Sequence, residues 1–368
     1  MKKILIFSLA YYPRVGGAEI AVKEITDRIS DIEFHLITLR FSPRDLAEEK
    51  LGNVMVHRVR GPKFLFPFAA ALKARVLCRQ KKFDAAWAMM SYMLLPIVLL
   101  RLFNIGLPYV LTLQEGDTKH HMFGRARILP FLPLINFGFR HAAVVQAIST
   151  YLGRWARERG FCGPLEIIPN GVDIKRFFLP AQAGGNPIPH EGIVLITTSR
   201  LVYKNAIDDI IRALARIQQD VILLVLGIGP DEQKLRMLAQ KLDVSARVEF
   251  LGHVDHKELP HYLHSADIFV RPSRSEGMGN SFVEAMAAGV PIIATQEGGL
   301  KDFINADVAW PVEKNSPEQI TQAVKKILAD PERTKKVVER ARKLTREKYD
   351  WNMIAKNMRE KVFARVLE

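Results

Sequence analysis

Cysteine is nearly missing. Cys78 and Cys162 are the two thiols in 368 residues, which excludes a disulfide framework and a cysteine-based metal site and fits free thiols in a reducing compartment. A membrane-spanning run is missing too. The longest uncharged stretch, Ala85 to Leu100, contains Ser91 and Pro96 and falls short of the roughly 20 residues a spanning helix needs. Ile4–Ala10 after Met1-Lys2-Lys3 imitates a secretory signal, but Tyr11-Tyr12-Pro13-Arg14 and Gly16-Gly17 stand where small cleavage-site residues belong. A first buried strand explains it better, so the expectation is a cytoplasmic protein without a transmembrane anchor. No solenoid-type repeat and no low-complexity tract is present.

Acidic residues are scarce in one region. Residues 51–150 hold 3 Asp+Glu against 13 Lys+Arg; residues 1–180 hold 14 against 26, and the remainder 25 against 27. The net charge of +14 therefore sits almost wholly in the first half. Such a half suits an anionic partner, whether a phospholipid surface, a lipid pyrophosphate or nucleic acid. Solubility alone is the bland alternative.

What is present is ordinary for a globular protein, 48% hydrophobic and 25% charged, and the length suits two α/β domains of about 170–190 residues each. Short β-branched or leucine-rich runs alternate with amphipathic ones, the pattern of parallel sheets covered by helices. Strands are expected at 3–9, 33–39, 54–58, 85–89, 109–113, 144–147 and 166–169 in the first half, with a helix over 17–30. Proline and glycine crowd 180–190, which reads as a linker. The rhythm then restarts with strands at 193–198, 221–226, 248–251, 268–271, 291–295 and 308–312, and a helix over 206–219. The domains are placed at 1–178 and 179–351. The amphipathic helix over 352–368 belongs to the second domain or packs back on the first. Two such units predict a cleft with ligands at the carboxyl ends of the strands.

The chemistry concentrates in Arg271–Gly289, RPSRSEGMGNSFVEAMAAG. Glu276 lies in a Gly/Ser-rich loop after a strand and Glu284 in the first turns of a helix starting near Asn280 or Ser281. Carboxylates accept bidentately from sugar and ribose hydroxyls, and free N–H groups at a helix start suit a diphosphate. An acidic first turn complementing the helix dipole is the plainer alternative. A second constellation, Thr198-Ser199-Arg200-Leu201-Val202-Tyr203-Lys204-Asn205, sets two cations four residues apart at a strand–helix turn, where they can neutralise a leaving diphosphate or simply be surface charges. In the first half, Pro13-Arg14-Val15-Gly16-Gly17-Ala18-Glu19 puts two glycines between strand and helix, allowing close backbone approach to phosphate or sugar.

The Arg271–Gly289 segment and its continuation through Pro291-Ile292-Ile293-Ala294-Thr295 and Gly298-Gly299 resemble glycosyltransferase family 4, whose hallmark is E-x7-E within PS-x-x-EG-x-G and EAMA-x-G. Arg200 and Lys204 are similar to that family's G-R-L-x-x-x-K-G, with Ser199 and Asn205 replacing its glycines; Asn tolerates a left-handed backbone. Ile167 to Asp173 with Arg176-Phe177, Leu226 to Pro230, and Val248 to Val254 resemble further family segments. The resemblance implies a GT-B fold of two Rossmann-like domains facing across a cleft, acceptor on the first and donor on the second. It implies a retaining, hexosyltransferase-type glycosyltransferase taking a UDP- or GDP-type nucleotide sugar and a glycan, lipid-linked or other hydroxyl acceptor, in cell-surface polysaccharide or glycolipid assembly. Glu276, Arg200 and Lys204 take the catalytic roles. Glu284, Gly16, Gly17, Gly277, Gly279, Asn280, Ser281, His253 and Val254 take donor binding. No cofactor and no metal is expected, in keeping with the missing Asp-x-Asp pair.

One departure concerns the acceptor side. Relatives read T-x-HG-x-D where this chain has Thr112-Leu113-Gln114-Glu115-Gly116-Asp117, so Gln114 replaces a histidine and cannot carry a proton near neutral pH. Gln114, Asp117 and His120, or the neighbouring His121, are the acceptor-side candidates, or plain polar loop residues. The stretch from Arg60 to Lys82, rich in Phe, Leu and basic side chains, and Arg125 to Arg140 fit a peripheral site on the inner face of an anionic membrane; core-facing helices with solvated charges are the alternative. Within the same fold, a nucleotide-sugar epimerase or phosphorylase, or a non-catalytic nucleotide-sugar-binding protein, is the rival. Nucleic-acid binding would explain the charge but none of the motifs.

Overall fold

The computed structural model describes residues 1–126, 128–178, 192–218 and 220–368. The chain divides into two compact units, Met1–Asn170 with Trp351–Glu368, and Gly171–Asp350. The expected linker at 180–190 lies outside the described residues, as does Gln219; the helix expected over 206–219 is shorter, Ile207–Leu214.

The first unit holds β1 (Lys2–Phe7), β2 (Ile32–Leu39), β3 (Glu48–Leu51), β4 (Val54–Val59), β5 (Ala85–Met89), β6 (Tyr109–Leu113), β7 (Val144–Ala147) and β8 (Leu165–Ile167), ordered β3-β4-β2-β1-β5-β6-β7-β8. All pairs are parallel except β3 with β4. Central strands buried on both faces need continuous apolar runs, and Ile4 to Phe7 and Ala85 to Ala88 are fully enclosed. β3 was not expected: Glu48-Glu49-Lys50-Leu51 is polar because it is an edge strand, where charge discourages further pairing.

The C-terminal segment packs on this unit. Trp351–Asn357, the wider turn Met358–Phe363 and Ala364–Leu367 bring Trp351, Ile354, Met358, Val362 and Phe363 into the core of β1, β2 and β5. The Phe363 ring lies 5.0 Å from Trp87 and 6.0 Å from Phe34. Each such side chain contributes about 1.5–3 kcal/mol by leaving water.

The second unit is wholly parallel: β9 (Ile193–Thr198), β10 (Val221–Leu226), β11 (Val248–Gly252), β12 (Ile268–Arg271), β13 (Ile292–Ala294) and β14 (Trp310–Pro311), ordered β11-β10-β9-β12-β13-β14. Residues 171–178, placed in the first domain by the sequence reading, belong here. Val172 bridges to Asp350, its N–H donating to the Tyr349 carbonyl at 2.7 Å, and Phe177 of the short helix Ile174–Phe178 is fully buried. The motif that seemed to close one domain opens the next.

Candidate functional site

β12 ends in Arg271, and the loop that follows turns into the helix Asn280–Ala288. Arg271 and Glu276 are both buried, at 8% and 5% exposure, so each charge needs a partner. They provide it for one another: Arg271 Nη2 donates to Glu276 Oε1, and Ser273 Oγ adds a bond at 3.2 Å. The same guanidinium reaches Ser281 Oγ at 2.5 Å and Asn205 Oδ1 at 3.2 Å. Gly279 precedes the helix in the left-handed region, φ +80°, leaving the first N–H groups without a side-chain cap. Gly298 is fixed by space as well as φ: a Cβ there would lie 2.0 Å from the Glu276 carbonyl oxygen, which accepts the Gly299 N–H at 3.0 Å.

The turn carrying Arg200 and Lys204 joins this loop through two links. Asn205 Nδ2 donates to the Arg200 carbonyl at 2.6 Å while its Oδ1 accepts from Arg271. Arg274 N–H donates to the Lys204 carbonyl at 2.7 Å. The Arg274 guanidinium bonds the Tyr203 carbonyl at 2.7 Å, both Asp208 oxygens at 2.9 Å and Asp209 Oδ2 at 2.8 Å. Burial first, and then Asp208, pushes the Asp209 carboxyl upward, against the pull of Arg274. The left-handed residue of the turn is Ala206, φ +54°, not Asn205, whose amide is used as the bridge. Arg200 itself is exposed. Thr197, Thr198 and Ser199 hydroxyls at the end of β9 are buried without a hydrogen-bond partner among the described residues, a cost of about 1–3 kcal/mol each.

Glu284, 8% exposed, bonds through Oε1 to His256 Nε2 at 2.8 Å. Glu276, Ser281, Gly277 and Gly279 thus share a bonded loop with the Arg200–Lys204 turn, whereas Glu284 answers to a histidine that sequence reasoning passed over in favour of His253. His253 is exposed and Val254 half-buried; both line a cavity of about 400 Å³ with Leu251, Asp255, Glu258, His261 and Tyr262. Asp255 is held below the ordinary carboxylate range by the Lys257 N–H. His256 carries no local signal, because its partners Arg176 and Glu284 lie 80 and 28 positions away. Arg271 opens the motif segment, but its inward turn is not readable from the spacing.

In the first unit, the Gly16 N–H is not directed outward as expected. It donates to Glu19 Oε2 at 2.8 Å, so Glu19 caps the helix Gly17–Thr26; burial raises the Glu19 carboxyl while that N–H opposes the rise. Gln114 Oε1 accepts from Asn170 Nδ2 at 3.1 Å. Asp117 pairs with His121 at 3.8 Å, and His120 is exposed on the helix Lys119–Phe123. Between them Glu115, which sequence reasoning left aside, is fully enclosed and holds the Ser91 N–H and Oγ–H, both at 2.7 Å; burial raises its carboxyl. No helix among the described residues is long and apolar enough to cross a membrane.

Two α/β units, each built on a mostly parallel sheet, are the architecture of GT-B glycosyltransferases. Residues 15–176 match the family described as Glycosyltransferase Family 4, and residues 180–344 that described as Glycosyl transferases group 1. The chain belongs to glycosyltransferase family 4 and is a nucleotide-sugar glycosyltransferase. It is 24% identical to a GDP-mannose-dependent monoacylated alpha-(1-6)-phosphatidylinositol monomannoside mannosyltransferase of Corynebacterium glutamicum, over 97% of both chains. It is 27% identical to a GDP-mannose-dependent alpha-(1-6)-phosphatidylinositol monomannoside mannosyltransferase of Mycobacterium tuberculosis, over 96% of both. The fold is that of sucrose-phosphate synthase from Thermosynechococcus elongatus, TM-score 0.86 at 20% identity, covering 99% of this chain and 100% of that one. Anabaena Alr3699/HepE in complex with UDP and glucose shares it at 0.82 and 20%, with the same coverage.

Proposed function

We propose that the chain is a retaining glycosyltransferase that moves a hexose from a GDP- or UDP-sugar to a hydroxyl of a lipid-linked or glycan acceptor at the cytoplasmic face of an anionic membrane. The observation that carries the donor reading is the Arg271 network, which ties Glu276, the start of the helix Asn280–Ala288 and the Arg200–Lys204 turn into one bonded set. In the reaction the bond from the anomeric carbon to the diphosphate breaks and its electron pair departs on the diphosphate. The bond to the acceptor oxygen forms on the same face, and the acceptor hydroxyl's proton passes to the departing diphosphate oxygen. Arg200 and Lys204 meet that charge, so no metal is required in this reading, and Glu276 faces the sugar that becomes oxocarbenium-like. Glu284 takes the ribose. The named relatives act on phosphatidylinositol mannosides, which supports a lipid-linked acceptor.

The membrane part rests on the helix Phe66–Gln80 and the turn before it. Phe64, Phe68, Leu72 and Val76 recur every fourth residue and are 75%, 46%, 55% and 47% exposed, while Phe66, Ala70, Ala74 and Leu77 are buried. A helix with apolar residues on both sides and Lys63, Arg75 and Arg79 beside them is suited to an anionic lipid surface. Leu134 and Phe137 of the helix Leu132–Arg140 are also exposed.

A panel of GDP- and UDP-sugars with and without lipid extract tests the reading. Transfer to extract is expected, with kcat lowered about 10²–10³-fold in R200A and K204A and donor affinity lowered about tenfold or more in E284A. Conversion of the donor alone to another sugar would make it an epimerase, and binding without turnover a non-catalytic protein. Unchanged kinetics in all three variants would remove the site assignment.

A further inference from the structure

His256 lies in the loop after β11, between two charged groups that come from distant motifs. On one side Arg176 Nη1 stands 3.3 Å from His256 Nδ1, and Arg176 Nη2 also donates to the His256 carbonyl oxygen. On the other side His256 Nε2 stands 2.8 Å from Glu284 Oε1. The Phe177 ring packs at 5.7 Å from the imidazole. All four residues belong to the second unit.

A guanidinium only donates hydrogen bonds, so Nδ1 must accept; the ring hydrogen is then on Nε2 and points at Glu284. This resolves both contacts with a single neutral tautomer. Oε1 of the buried Glu284 is thereby engaged, which sets the carboxylate plane and leaves Oε2 as the oxygen for a ligand. We propose that His256 is a positioning residue for the donor nucleotide, with Arg176 fixing its tautomer so that Glu284 presents Oε2 to the ribose hydroxyls; this rests on the reading of Glu284 as the ribose contact. It also gives the Asp173–Phe177 stretch a role beyond opening the second unit: it delivers the guanidinium that orders His256 and, through it, Glu284.

The test is calorimetric titration of GDP and UDP, and of their 2′,3′-dideoxy analogues, into wild type, H256A, H256Q, E284Q and H256A/E284Q. The better-binding ribonucleotide is expected to lose about tenfold or more in affinity in H256A, the scale of one hydrogen bond to a charged group. H256Q, which still offers an N–H to Glu284, should recover most of it and controls for folding. With the dideoxy nucleotide the H256A loss should vanish, and in the E284Q background H256A should add nothing. If E284Q weakens ribonucleotide binding while H256A does not, or if H256A weakens the dideoxy nucleotide equally, His256 is a structural residue and the inference is overturned. If E284Q itself leaves ribonucleotide binding unchanged, the ribose reading of Glu284 fails and the inference falls with it.

Discussion

Arg271 is the residue on which the candidate site depends most. Its guanidinium is bonded to Glu276, Ser281 and Asn205, and at 3.4 Å to the Thr198 carbonyl, so two loops and a helix start share one cation. Replacing it by Met strands the Glu276 carboxylate in a buried place. We expect R271M to cost about 3–5 kcal/mol, the usual penalty for breaking a buried pair from one side. Urea unfolding measures it, and a loss under about 1 kcal/mol would show that Glu276 finds other partners. At this scale the sequence is legible only where a motif is. The spacing of Glu276 and Glu284 and the cations Arg200 and Lys204 stand out in the text. An arginine at a strand end reads the same whether it turns inward or outward, and the bond from His256 to Glu284 spans 28 positions that no local pattern connects. Gly16 and Glu19 were readable as a loop and a motif acid, but not as donor and acceptor of one hydrogen bond.

Elements were more legible than residues, since period and burial enforce each other. The apolar runs at 85–89, 109–113, 144–147, 193–198, 221–226 and 268–271 are strands over those same residues, because a strand buried on both faces cannot be polar. β3 escaped notice for the opposite reason. The helix Phe66–Gln80 was legible as apolar and basic, but which apolar residues are enclosed depends on its packing against β2 and β4. With its exposed row now identified, F64S/L72S is expected to reduce sedimentation with anionic phosphatidylglycerol vesicles at low salt several-fold, while leaving sedimentation with neutral phosphatidylcholine unchanged. Equal binding of wild type and variant to anionic vesicles would remove the helix from any membrane role.

At the scale of the whole molecule, the sequence indicated two α/β units but left the C-terminal helix open, because an amphipathic face fits either core. Phe363 against Trp87 and Phe34 decides for the first. Global stability should depend on pH through one cluster in that unit. His35 and His57 stack with Nδ1 and Nε2 3.0 Å apart, flanked by Glu33 at 2.6 Å and Glu48 at 2.9 Å, with Lys3, Lys73 and Lys81 around them. Burial holds both imidazoles below the ordinary histidine range. Unfolded histidines therefore take protons that the folded pair does not, so this stabilisation is complete above pH ~6.5 and is lost as pH falls below it. The hydrogen bond from His35 pushes Glu33 down to about 2, and those from Lys73 and then His57 push Glu48 down to about 2. That part is present above pH ~4.5 and lost only as pH falls toward 2. The unfolding midpoint should fall between pH 7.5 and 5.5, and H35Q/H57Q should flatten that slope; an unaltered slope would place the dependence elsewhere.

In the proposed function, one donor site in the Gly171–Asp350 unit binds a nucleotide sugar through Glu284, Arg200 and Lys204. Calorimetric titration of GDP- and UDP-sugars into wild type and the R200A/K204A/E284A triple variant tests it most directly. Saturable binding of one of these donors to wild type, with at least a hundredfold loss in a folded triple variant, is the predicted result. Equal affinity for wild type and variant would contradict it.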